Sequence, residues 1–126
     1  MHTRFYVCNH CGNIVGKILD SGVPLVCCGE TMAELVPGVV EASKEKHIPV
    51  VEVKGDVVKV TIGSIDHPMV PEHYIGWVYL STTKGGQRKE LKPGDAPHAE
   101  FKLVDDQPLV AYAWCNLHGL WMTEVK

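Results

Sequence analysis

Several things are scarce in this chain. Its 12 Lys and Arg form no long basic run, and 15 Asp and Glu leave a net charge of −3. Phosphate binding relies on clustered cations, so nucleic acid is not expected as the main partner. Long apolar runs are missing as well. The longest, Leu109 to Cys115, has seven residues, far short of the ~20 that span a bilayer. Residues 1–6 lack the apolar stretch of a secretory signal. No membrane partner is expected, and a cytoplasmic protein is. Internal repeats, low-complexity segments and sustained helical periods are absent too, which excludes solenoids and helical bundles.

Cysteine and histidine, by contrast, are plentiful: five and seven in 126 residues. Clustered cysteines in a reducing compartment more often bind metal than pair as disulfides, and an odd count leaves one unpaired under any pairing. Cys8, Cys11, Cys27 and Cys28 lie together, whereas Cys115 stands alone near the far end. Two sites are implied.

Residues 1–36 hold the four clustered cysteines and few large apolar groups. So short a segment needs a staple such as a metal. Pro37-Gly38 punctuates its end, and the polar stretch Glu41 to Lys46 leads onward. Residues 37–126 read as strands. Val51 and Val53 alternate with Glu52 and Lys54, Gly55-Asp56 marks a turn, and Val58, Val60 and Ile62 follow with the same period. That is a half-buried antiparallel hairpin. Further apolar segments lie at Ile75–Leu80, around Phe101 and Leu103, and at Leu109–Trp114 and Leu120–Val125. Turns are signalled at Lys84-Gly85-Gly86 and Lys92-Pro93-Gly94-Asp95. Roughly seven short strands predict an all-β sandwich of immunoglobulin-like kind.

Cys8-Asn9-His10-Cys11-Gly12 lets two thiolates converge on one ion, with Gly12 free to take the positive φ of a tight metal turn. Cys27-Cys28-Gly29 supplies the second pair. Adjacent cysteines cannot form the usual knuckle, so a distorted approach to the metal is expected. Four thiolates suit zinc or iron, and a structural zinc ribbon or two disulfides are the plainer alternatives. His10 is not expected to bind, because the thiolate set is already complete. Elsewhere His47 follows Glu45-Lys46, His67 sits in Asp66-His67-Pro68-Met69, His73 comes six residues later, and Cys115-Asn116-Leu117-His118-Gly119 ends a strand. Four imidazoles and a thiolate can thus be presented by loops at one end of a sandwich.

The ordered motifs C-x-x-C-G, C-C-G, E-K-H-x-P-V, H-P-M and C-N-x-H-G-x-W span nearly the whole chain and resemble the desulfoferrodoxins, the two-iron superoxide reductases. The resemblance implies two iron ions per chain. One is held in a small desulforedoxin- or rubredoxin-like domain by Cys8, Cys11, Cys27 and Cys28. The other, in an immunoglobulin-like catalytic domain, is held by His47, His67, His73 and His118 with Cys115 axial. It implies that Glu45 takes the sixth position of the oxidised metal. Lys46, beside ligand His47, is suited to attract anionic superoxide and organise water for proton delivery. The resemblance further implies a rubredoxin-like electron donor and a homodimer. Asn116 and Gly119 are expected to offer backbone N–H groups to the Cys115 sulfur. Pro71-Glu72, Tyr74 and His98 depart from the commonest family pattern without touching an implied ligand, and His98 is expected at the surface. A reading from another class is a non-catalytic iron electron carrier or metal-binding regulatory module that uses the thiolates alone; four histidines with an open position argue against it.

Overall fold

The computed structural model describes residues 3–126. They form two compact units, one ending at Val36 and one running from Pro37 to Lys126. In the first, β1 (Phe5–Val7) pairs with β2 (Ile14–Gly16) on one side and β5 (Ala33–Glu34) on the other. A separate hairpin joins β3 (Val26–Cys27) to β4 (Glu30–Thr31). Among the described residues, Phe5, Cys8 and Met32 are its buried apolar groups. Room for the Phe5 ring comes from Gly16, where an added Cβ would stand 3.2 Å from it. Three side chains are too small a core to order some three dozen residues without a covalent or metal staple.

The second unit opens with one helical turn, α1 (Lys44–His47), and continues entirely in strands. These are β6 (Pro49–Lys54), β7 (Val57–Ile62), β8 (Ile75–Thr82), β9 (Gly85–Glu90), β10 (His98–Lys102), β11 (Pro108–Cys115) and β12 (Gly119–Glu124). They make two antiparallel sheets, β10-β7-β6 and β12-β11-β8-β9. Val58, Val60, Ile62 and Phe101 from the first sheet and Ile75, Val78, Leu80, Ala111 and Ala113 from the second fill one buried core. This is the expected sandwich, built as alternating inward faces demand.

The β6–β7 hairpin turns at Gly55-Asp56, as its pattern predicts, with Lys54 opposite Val57. In this second unit one strand was not visible in the sequence. β9 begins at Gly85, so the turn lies at Thr83-Lys84 and the two glycines already pair with Thr82 and Ser81. Gly86 leaves room for the end of the Tyr79 side chain, which an added Cβ would displace. β9 is an edge strand with mostly exposed polar residues, which blunts the edge against further pairing and removes any apolar alternation. Asp106 secures the turn, accepting from the Thr83 hydroxyl at 2.7 Å and from the Lys84 and Gln107 backbone N–H groups.

Candidate metal centres

In the first unit the Sγ atoms of Cys8, Cys11, Cys27 and Cys28 all lie within 4.8 Å of one another. Gly12, at φ 82°, turns the chain back so that its N–H bonds the Cys8 carbonyl at 2.9 Å. The Cys11 N–H points at the Cys8 sulfur at 3.5 Å. This contact and the His10 backbone N–H hold the Cys8 thiol down to about 6. Cys28-Gly29 is the two-residue loop of the β3–β4 hairpin, with φ 53° and 77°, the paired positive values of a type I′ turn. A left-handed Cys28 brings its sulfur round beside that of its neighbour. Adjacency is therefore accommodated by the backbone. Cys27 Sγ stands 3.6 Å from Cys11 Sγ and 4.0 Å from Cys28 Sγ, bracketing the about 3.8 Å edge of a tetrahedron with 2.3 Å metal–sulfur bonds. Outside the set, His10 bonds Glu30 at 3.0 Å at the surface.

The second cluster forms where five strand ends meet. Pro49 opens β6 opposite Ile62, which closes β7, and Cys115 closes β11 opposite both Ile75 and Gly119. The segments that lead into β6, join β7 to β8 and join β11 to β12 thus emerge at one end of the sandwich, bringing His47, His67, His73 and Cys115 within 4.8 Å donor to donor. His118 joins them through Nδ1, 3.1 Å from His47 Nε2 and 3.9 Å from Cys115 Sγ. Neighbouring rings stand nearly perpendicular: His47 to His67 at 81°, His67 to His73 at 79°, His73 to His118 at 77°, and His118 to His47 at 85°. His47 and His73 face each other at 6.0 Å and only 31°. Four imidazoles therefore surround one point in the order 47, 67, 73, 118, with Cys115 fully buried beside them.

The protonation pattern tests whether a cation fits. His47 Nδ1 donates to the Ser43 carbonyl at 2.6 Å, and His67 Nδ1 donates to the Pro68 carbonyl at 2.7 Å. Each neutral ring then presents a bare Nε2, and these two lone pairs face each other at 3.2 Å. Both histidines are 2% exposed. Burial pushes His67 down to about 4 and lowers His47 and His73 as well, so protons do not relieve the repulsion at neutral pH. His73 Nε2 is buried with no hydrogen-bond partner. A metal ion satisfies all of these atoms: nitrogens at about 2.1 Å from one ion and at right angles to each other lie about 3 Å apart.

Cys115 is pushed up by burial, partly offset by the backbone N–H groups of Leu117 and His118. Those two donors stand where Asn116 and Gly119 were expected; the Asn116 N–H instead bonds the Tyr74 carbonyl at 3.2 Å. Glu45 and Lys46 are exposed on α1. The Glu45 carboxylate accepts from the Ser43 hydroxyl at 2.7 Å, which holds it below the usual range, and it lies outside the donor cluster. The Lys46 charge contributes to lowering His47 and His73. His98 is exposed at the start of β10, opposite Thr61.

Other contributors carried no signal in the sequence. The Ser43 and Pro68 carbonyls act through the main chain. Asn13 donates to Cys27 Sγ at 3.7 Å. The Trp121 ring lies 5.0 Å from His47 at 33° and its Nε1 donates to the His118 carbonyl; Pro68 and Trp121 belong to motifs visible beforehand, though their roles here were not. Gly63, at φ 88°, runs so close to α1 that a Cβ would stand 2.7 Å from the Glu45 carbonyl oxygen and 2.8 Å from Lys46 Cα.

A small four-thiolate unit followed in the same chain by a sandwich bearing four imidazoles and a thiolate defines a class of two-centre non-haem metalloproteins. Residues 39–124 match the family model of desulfoferrodoxin, and residues 2–35 match that of the desulfoferrodoxin N-terminal domain. The chain belongs to the desulfoferrodoxin family. It is 48% identical over 121 residues to the desulfoferrodoxin of Nitratidesulfovibrio vulgaris, covering 96% of this chain and 95% of that protein. A superoxide reductase of Pyrococcus horikoshii is 39% identical over 100 residues, covering 65% of this chain and 87% of that one. Among solved structures, the superoxide reductase from Treponema pallidum superposes with a TM-score of 0.83 at 46% identity, covering 98% of this chain and all of that one.

Proposed function

We infer that this chain is a superoxide reductase, taking superoxide, one electron and two protons to hydrogen peroxide. The single observation that carries this is the convergence of four imidazoles and one buried thiolate on a common point. Such a set leaves an octahedral metal one open position, for which a pure electron carrier has no use. The chain holds two iron ions, one per centre. When bound, the iron of the second centre supplies the electron and a Lewis-acidic position for the anion.

In this reading residues 1–36 are a desulforedoxin-like iron domain with Cys8, Cys11, Cys27 and Cys28 as ligands, and residues 37–126 are the catalytic domain. His47, His67, His73, His118 and Cys115 would hold the second iron. Ser43 and Pro68 hold the His47 and His67 rings in the tautomer that leaves Nε2 free. Leu117 and His118 donate to the thiolate and stabilise its charge. Lys46 draws the anion in and orients water for the two protons. Glu45, on the turn beside His47, would offer a further carboxylate donor to the oxidised iron on leaving Ser43.

An electron donor of rubredoxin type and a homodimer complete the proposal. The dimer is supported by Ile18, Leu19, Val23 and Val26, four apolar side chains close in sequence on the first unit and all strongly exposed, which a second copy would cover. A cytoplasmic location accords with five free cysteines; no helix among the described residues is long and apolar enough to cross a membrane.

Peroxide yield tests the activity. Prereduced protein given substoichiometric superoxide is expected to form one peroxide per superoxide, whereas dismutation gives half that and a carrier gives no enhancement. Cys8→Ser tests the division of labour: it should lose the four-thiolate iron and retain single-turnover reduction. Loss of both would show that the centres are not independent.

A further inference from the structure

His47 and His67 are each fixed by a ring hydrogen bond to a carbonyl. His73 has no such anchor. Its Nε2 has no protein partner, and among the described residues no hydrogen bond to protein holds its ring. Apart from its edge contacts with the His67 and His118 rings, this imidazole is placed by its backbone. That backbone belongs to a long connection between β7 and β8, in which His73 itself is paired only through an isolated antiparallel bridge to Val70.

Asn116 grips this backbone on both sides of His73. Its Oδ1 accepts the Tyr74 N–H at 2.8 Å, and its Nδ2 donates to the Glu72 carbonyl at 3.1 Å. A third bond runs from the Asn116 N–H to the Tyr74 carbonyl at 3.2 Å. An amide is the side chain that fits, because one partner is a donor and the other an acceptor. Asn116 also follows Cys115 directly and precedes His118 by two residues. The clamp thus ties the loop carrying one donor to the turn carrying two others.

We propose that Asn116 is the positioning residue for His73, fixing this imidazole against Cys115 and His118 by clamping Glu72 and Tyr74. The inference rests on the reading of His73 as a metal ligand. It touches neither the metal nor the substrate. Its loss therefore loosens the donor set without removing a donor, and outer residues of this kind are worth about 10- to 100-fold in metal affinity.

The test is iron release to a chelator from the intact two-iron protein, followed at the thiolate-to-iron absorption of each centre. Asn116→Ala is expected to release the second iron about 10- to 100-fold faster and to shift its absorption band, with release from the four thiolates unchanged. In a double-mutant cycle, His73→Ala should speed release too, and the double variant should be no faster than His73→Ala alone. Asn116→Asp keeps the acceptor for Tyr74 but loses the donor to Glu72; it should also speed release, and serves if the alanine variant does not fold. Parent-like release and spectrum in both Asn116 variants would overturn the inference. So would additive effects, which place the action of Asn116 on the Cys115 turn or the general fold. Unchanged release in His73→Ala would instead remove the ligand assignment on which the inference stands.

Discussion

Gly63→Ala perturbs the catalytic end without altering any donor. Two effects are combined at this position. The first is conformational: φ is 88°, where a residue with a Cβ costs about 1 kcal/mol relative to glycine. The second is steric. The new Cβ would collide with the Ile65 carbonyl oxygen and stand 2.7 Å from that of Glu45 and 2.8 Å from Lys46 Cα. All three atoms are main chain and cannot rotate away, so the turn must separate from α1 by several tenths of an ångström or more. That movement weakens the bonds from the Ile65 N–H to Glu45 and from the Gly63 N–H to Ile48, now 3.0 and 3.2 Å, each worth about 1 kcal/mol. The sum is about 3 kcal/mol. Gly94→Ala supplies the control, since Gly94 has φ 95° but nothing within 4 Å of an added Cβ; it should lose only about 1 kcal/mol. Urea unfolding of both variants measures the difference. Because α1 carries His47, Gly63→Ala should also release the second iron faster while Gly94→Ala does not. Equal destabilisation of the two variants would refute the claim that close approach to α1 is what Gly63 provides.

Lys46→Ile should slow the bimolecular reaction with superoxide. Lys46 is exposed, so an ammonium about 6 Å from the anion acts near water's dielectric and the loss is about 3-fold; stopped-flow rates that keep the parent's salt dependence would return Lys46 to an ordinary surface charge. Metal affinity at the second centre should depend on pH through Cys115, whose thiol is raised above 9.0 by burial. Binding takes the thiolate, so each unit of rising pH between about 7.5 and 8.5 favours it about tenfold. The lowered imidazoles add nothing there, and the slope should vanish in Cys115→Ser when measured by chelator competition. Asn13→Leu removes an N–H donor to the Cys27 sulfur, which should lower the reduction potential of the four-thiolate iron and leave the second centre unmoved in a spectroelectrochemical titration.

What the sequence revealed followed from how much information each feature carries. β7, with strict alternation of buried residues, was legible. The strands of the first unit are two or three residues long, too short for a period to register. β9 escaped because an edge strand facing solvent has no apolar face to display. The ligand types stood out as motifs, yet spacing says nothing about angle; that His47 lies across from His73 required the rings themselves. Asn116 was read through its backbone, as a donor to the sulfur, whereas its side chain does the holding. That function depends on residues 42 and 44 positions away, which no local pattern encodes.

The wide sequence span of the imidazole set has a consequence for how the molecule is assembled in time. Cys8 and Cys28 are 20 residues apart, while His47 and His118 are separated by 71. Closing the larger loop costs about 1 kcal/mol more chain entropy, and a chain emerging in order completes its four sulfurs long before Cys115 and His118 exist. During that interval His47, His67 and His73 are present without their thiolate. A partial set of three nitrogens prefers copper or zinc to ferrous iron by the ordinary affinity order of divalent metals. Late arrival of β11 and β12 therefore makes the choice of metal a matter of folding kinetics as well as of donor chemistry: before Cys115 and His118 emerge, the nascent chain offers a three-nitrogen set to whichever divalent ion is at hand.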